Sequence, residues 1–111
     1  METKLLGRIA SLRIGMGGYQ DAMFGVSVSL SMQGSGVGAF IGTWSQSTKI
    51  GPHTQWTEAD RSAEFDKTMR WLDDRCREAK VRDVNDLIGK PVEVTLEDNT
   101  LKSWRLLTEV L

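Results

Sequence analysis

Phe24-Gly25-Val26-Ser27-Val28-Ser29-Leu30-Ser31-Met32-Gln33 alternates apolar residues with small or polar ones, without a break. Successive side chains of a strand face opposite sides. The stretch therefore predicts a β-strand with Phe24, Val26, Val28, Leu30 and Met32 toward a core. Its other face carries Gly25, Ser27, Ser29, Ser31 and Gln33. Gln33-Gly34-Ser35-Gly36-Val37-Gly38 follows directly and predicts a hairpin into a third strand, Val37 to Trp44. Gly38 and Gly42 interrupt that strand, which marks a bulge or the close approach of another backbone or ligand.

Upstream, Leu6 to Ile14 is the first strand. Leu6, Ala10, Leu12 and Ile14 share its apolar face, with Arg8 an intruder in that series. Gly15-Met16-Gly17-Gly18 ends it, and Tyr19-Gln20-Asp21 is a polar loop. Downstream, Ser45 to Gln55 is a loop rich in Ser and Thr, long for a compact domain. Thr57-Glu58-Ala59-Asp60 resembles a capping box with Asp in place of Glu, and Trp56 stands where a hydrophobic staple begins. Phe65, Met69, Leu72, Cys76 and Ala79 then form one apolar stripe of a long helix. Asp83 caps a short turn through Leu87, ended by Gly89.

Pro91 opens a fourth strand in which Val92, Val94 and Leu96 alternate with Glu93 and Thr95. A two-residue turn on Asp98-Asn99 would pair Glu93 with Trp104 and misplace that ring. A three-residue turn with Asn99 in the left-handed position pairs Val92 with Trp104. It also puts Trp104, Leu106 and Val110 on the valine face, and is preferred. The order βββαββ predicts an α+β fold: a five-stranded, mainly antiparallel sheet with one long helix on one face.

The chain has 111 residues and a formal net charge of −1, so it fits one domain with no global field for nucleic acid. Residues 1–51 carry 6 charged side chains and 10 of the 11 glycines, so the charge that keeps the chain in solution lies in the second half. No run reaches the ~20 apolar residues of a membrane span. The start lacks the long apolar core of a signal peptide, and one cysteine, Cys76, excludes an internal disulfide. Together these predict a cytoplasmic protein in a reducing compartment, with no membrane role.

No strong catalytic constellation is present, and neither cofactor nor metal is expected. His53 is a loop residue first and a general base only second. Cys76 lies on the helix stripe, where a thiol acts as a small hydrophobe. Asp73 and Asp74 point about 100° apart on a helix and make no shared metal pocket. Gly34 to Gly38 joins strand to strand, whereas a phosphate cradle needs a helix N-terminus after it. The loop of Lys49 and His53 reads first as an ordinary surface loop; its hydroxyls and cation, bracketed by Trp44 and Trp56, alternatively suit a phosphate and a base, or a protein partner. Trp71 lies off the apolar stripe among charges, either an interface anchor or packed under a loop. Arg70, Arg77, Lys80 and Arg82 are interleaved with acids, which argues against a strong phosphate-tracking surface.

Gly17-Gly18-Tyr19-Gln20-Asp21, Phe24-Gly25-Val26, Trp56-Thr57-Glu58-Ala59-Asp60-Arg61, Pro91 to Thr95 and Leu101 to Arg105 together resemble a family of small proteins of temperate bacteriophages and prophages. The resemblance spans most of the chain and implies a setting, the cytoplasm of a bacterial host, without an activity. The reading that follows is a non-enzymatic, phage-encoded binding protein and homo-oligomer. It would inhibit a host defence component, either a host protein or a small nucleotide ligand. Tyr19, Trp44, Lys49, His53, Trp56 and Trp71 are its contact residues. The alternatives are an accessory nucleic-acid-binding protein for phage replication or recombination, and a virion or assembly component.

Overall fold

The computed structural model describes residues 1–111 and contains five strands and one long helix. They are β1 (Glu2–Gly17), β2 (Met23–Met32), β3 (Ser35–Trp44), α1 (Glu58–Ala79), β4 (Pro91–Glu97) and β5 (Thr100–Leu106). All ladders are antiparallel, and the sheet runs β3-β2-β1-β4-β5. The α+β sheet with one helix expected from the residue pattern is therefore what the chain forms. Three hairpin-connected strands, with a fourth returned by a long connection to lie beside the first, make a Greek key. The two edge strands, β3 and β5, come close to one another without a ladder between them. Ala39, Phe40 and Ile41 of β3 and Trp104 of β5 line one small cavity there, with Val28 and Trp71. The sheet is thus a partly closed barrel, and α1 lies against both edges.

β2 behaves as its alternation predicts. Val26, Val28, Leu30 and Met32 are buried, whereas Ser29 and Ser31 are exposed. The core they join also holds Ile9, Leu12, Leu72, Leu87, Val92, Val94 and Leu106.

β1 departs from its prediction in two ways. It runs on through Gly15 and Gly17, and only Gly18, at φ +68°, breaks it. It also carries a bulge: Ile9 pairs with Leu30 and Ser11 with Ser29, leaving Ala10 unpaired. One inserted residue reverses the facing of everything beyond it. Ile9 before the bulge and Leu12 after it are therefore both buried, while Leu6 and Ala10 are exposed. The even-numbered face of Leu6, Ala10, Leu12 and Ile14 is thereby corrected. Arg8 is no intruder, because its face points away from the core. Near the bulge, β1 passes from one neighbour to another, with residues 2–8 pairing β4 and residues 7–17 pairing β2. The Gly89 N–H donates to the Ile9 carbonyl at 2.7 Å, and the Ile9 N–H to the Lys90 carbonyl at 3.0 Å. These bonds fix the crossing.

The β4–β5 turn is also corrected. Glu97 pairs with Thr100, so the turn has two residues, Asp98 and Asn99, both with positive φ (51° and 68°). A second bulge at Lys102 then shifts the register, so that Trp104 pairs with Val94 and Leu106 with Val92. The aromatic ring reaches the valine face by a bulge and not by a longer turn. Val110 lies outside the strand and is exposed.

The capping box forms as read. The Asp60 N–H donates to Thr57 Oγ1 at 3.1 Å, and the Thr57 N–H to Asp60 Oδ2 at 2.9 Å. The buried face of α1 is rotated from the expected stripe. Arg61, Thr68, Leu72 and Ala79 are buried, while Met69 is 64% exposed. Trp71 buries more apolar surface than Met69 can, and it has Trp104 to pack on. No helix is long and apolar enough to cross a membrane.

Candidate functional site

Three of the six candidate contact residues meet at one end of the molecule. Tyr19, in the turn after β1, stands edge-on to Trp44 at the end of β3, with ring centroids 6.2 Å apart. Trp44 stacks on Trp56 at 6.3 Å and an interplanar angle of 12°. Arg61 closes the column, its guanidinium 4.7 Å from the Trp56 ring centroid. Trp56 precedes the Thr57 cap and Arg61 is the fourth residue beyond it, so this contact takes the place of a hydrophobic staple.

Arg61 is also the fastener of residues 45–57. It is buried, pairs with Glu58, and donates from Nη1 to the Ser45 and Thr48 carbonyls. Thr48 Oγ1 and the Ser45 N–H reach the Ala22 carbonyl from the same loop. A buried guanidinium with carbonyl and carboxylate partners is satisfied, whereas removing it would orphan those acceptors. The loop is thus held against the β1–β2 turn, and the aromatic column is set before any ligand arrives. Sequence reasoning did not single out Arg61. Its only signal was position, four residues after the cap.

Lys49 and His53 lie exposed on the same loop, clear of the ring column's own contacts. Trp71 belongs elsewhere. It meets Trp104 edge-on at 5.8 Å, with the Arg75 guanidinium 5.4 Å from its ring. It is half-buried packing between α1 and β5, apart from the other five. Cys76, on α1, is half-buried against the core. Burial pushes its thiol up, with Asp73 adding to the effect, so it is a poor nucleophile at neutral pH.

The serine face is not flat. Gly15, Gly25 and Gly42 pair in one row across β1, β2 and β3. A Cβ on Gly25 would stand 2.2 Å from the Ile41 carbonyl oxygen, and one on Gly42 would stand 2.4 Å from that of Phe24. Only glycine allows backbones this close. Past the row, a Cβ on Gly17 would lie 3.1 Å from the Phe40 ring and 3.2 Å from Ser27 Oγ. Gly17 pairs with Met23, four residues from Ser27, which is about 13 Å along a straight strand. The three strands therefore fold together at the glycine row, toward the serine face. Arg13 sits in the crook, its Nη2 donating to the Met16 carbonyl at 2.5 Å. On the reverse side the fold leaves Ile14 and Phe24 52% and 41% exposed. They line an apolar groove with Phe65 and Met69.

The charge pattern divides along the same line. Residues 22–57 contain no Asp or Glu. The bulge at Ala10 brings Arg8 and Arg13, five positions apart, to the same concave face, opposite Ser31 and Ser27. Neither has a carboxylate partner, whereas Arg70, Arg75, Arg77, Lys102 and Arg105 all do. The Arg105 pair holds the Glu109 carboxyl down at about 2. Comparison with known proteins returned no matching family, curated protein or solved structure.

Proposed function

We propose that this chain is a non-enzymatic binding protein whose ligand is single-stranded nucleic acid, held on the concave face of β1, β2 and β3. The supporting observation is a coincidence of topology and chemistry. A five-stranded, partly open Greek-key barrel with a helix between its third and fourth strands is the arrangement of the OB-fold. Proteins of that fold take oligonucleotides and oligosaccharides on strands 2 and 3 and the adjoining loops. In this chain that region carries the Tyr19–Trp44 rings, with Asp21 of the β1–β2 turn as the one acid beside them, and the adjoining β1 adds two arginines that have no carboxylate partner. Rings suit either ligand, but cations that no carboxylate neutralises favour the polyanion. The fold enters here as analogy, and the residues supply the chemistry.

The face offers few cations, so binding is weak and driven in good part by stacking. A ring that stacks a base contributes about 1–3 kcal/mol. Trp44→Ala and Tyr19→Ala should each weaken binding of a labelled oligothymidylate at least about fivefold by anisotropy, corresponding to about 1 kcal/mol. With about two phosphates neutralised, by Arg8 and Arg13, log K should fall with log salt at a slope of about −1.4. No binding at low salt, or binding indifferent to both ring substitutions, would sink this assignment.

A second reading rests on the exposed groove of Ile14, Phe24, Phe65 and Met69. A phage-encoded inhibitor of a host defence protein would seat an apolar side chain there. For that reading, Met69→Glu should abolish inhibition by the chain while leaving oligonucleotide binding intact. Unchanged inhibition by that variant would dismiss it.

A further inference from the structure

A second pocket lies on the concave face, far from the rings. Leu6, Gly7, Arg8, Ser31, Met32 and Gln33 line an open depression of about 360 Å³ where β1 leaves β2 for β4. Two features of the chain make it. A Cβ on Gly7 would stand 2.4 Å from the Ser31 carbonyl oxygen, so glycine lets the strands close up beneath. The Ala10 bulge, two residues on, turns Arg13 onto the same face as Arg8. The guanidinium has five N–H donors in a planar fork and meets no carboxylate here. Such a fork matches a phosphate bidentately, and the Ser31 hydroxyl beside it adds a further donor.

Resting on the reading above, we infer that the Arg8 pocket is a phosphate subsite at the far end of a short nucleic-acid track, with Arg13 between it and the Tyr19–Trp44 rings. The spacing sets the footprint. Five residues separate Arg8 and Arg13, one taken up by the bulge, leaving about 14 Å of strand. That is about four nucleotides at the ~3.4 Å stacked spacing of a strand. One or two more reach the rings, giving about five or six nucleotides in all. This lies at the short end of the ~4–16 nucleotides held by comparable folds.

The test is a length series of oligothymidylates, read by anisotropy with the full chain. Affinity should rise about tenfold from the three-nucleotide to the six-nucleotide strand. From six to twelve it should rise only by the statistical factor of added registers. Arg8→Gln should remove most of the gain at six nucleotides, leave the three-nucleotide affinity unchanged, and flatten the salt slope by about 0.7, one phosphate's worth. Arg8→Lys, which keeps the charge and loses the fork, should fall between. Arg8 is exposed, so an unchanged melting curve will show that the variants fold. Equal affinities for three and six nucleotides, or an Arg8→Gln protein that binds like the parent at every length, would overturn the subsite and leave the ring-centred site standing. No binding at any length would remove both.

Discussion

At the scale of single residues, the glycines of this chain do different jobs despite looking alike in sequence. Gly25 and Gly42 allow backbones to meet, because any Cβ there would penetrate a carbonyl of the facing strand. Gly38 has ordinary room, the nearest atom to its Cβ position being the Val28 carbonyl oxygen at 3.7 Å. Gly25→Ala should therefore cost about 3 kcal/mol or more in urea denaturation. Gly38→Ala should stabilise by about 0.5–1 kcal/mol, since glycine within a strand forfeits that much in chain entropy. Equal effects of the two would show that the glycine row is not the sharp fold described. Arg8 and Arg13 make the same point about charge. They lie on opposite faces of any regular strand, and only the unpaired Ala10 brings them together. Alternation alone cannot announce that site.

At the scale of elements, local chemistry was legible wherever it depended on near neighbours. The Thr57–Asp60 capping box and the Asp83 cap, whose Oδ1 accepts from the Asn85 N–H at 2.8 Å, both form as their residues suggest. Thr57→Ala should cost about 1 kcal/mol of stability by urea titration. No loss would show that the cap is redundant with the Trp56–Arg61 contact beside it. What could not be read locally is which face of an element meets the core. Met69 and Trp71 compete for that place on α1, and Trp104, more than thirty residues away in sequence, decides it. The same holds for the β4–β5 hairpin. Its turn residues point to two residues, its facing demands three, and the bulge at Lys102 reconciles them.

At the scale of the whole molecule, β1 couples the parts. It pairs with both β2 and β4, so the meander of the first half and the hairpin of the second share one strand. Helix α1 covers the approach of β3 to β5, with Leu72 in the cluster that β2 and β4 complete. Neither half closes a core alone. Leu72→Ala should cost about 2–5 kcal/mol, and tryptophan fluorescence and far-ultraviolet circular dichroism should shift together in one transition. Separate midpoints would mean that the meander keeps its structure after the helix leaves. The long axis of 48 Å against a thickness of 18 Å follows from the same strand, whose sixteen residues span the molecule. It is also what gives the concave face room for a track.

By itself, the sequence determined the strands, the helix, their order and the composition of the two faces of β2. These follow from alternation, capping and turn chemistry, all of which act between residues close in the chain. Tertiary structure alone decided the bulges, the rotation of α1, the fold of three strands at the glycine row and the gathering of Tyr19, Trp44, Trp56 and Arg61. Each of these depends on backbone register and side-chain volume between segments distant in the chain. A one-residue slip in register costs nothing in local pattern, yet reverses every face beyond it.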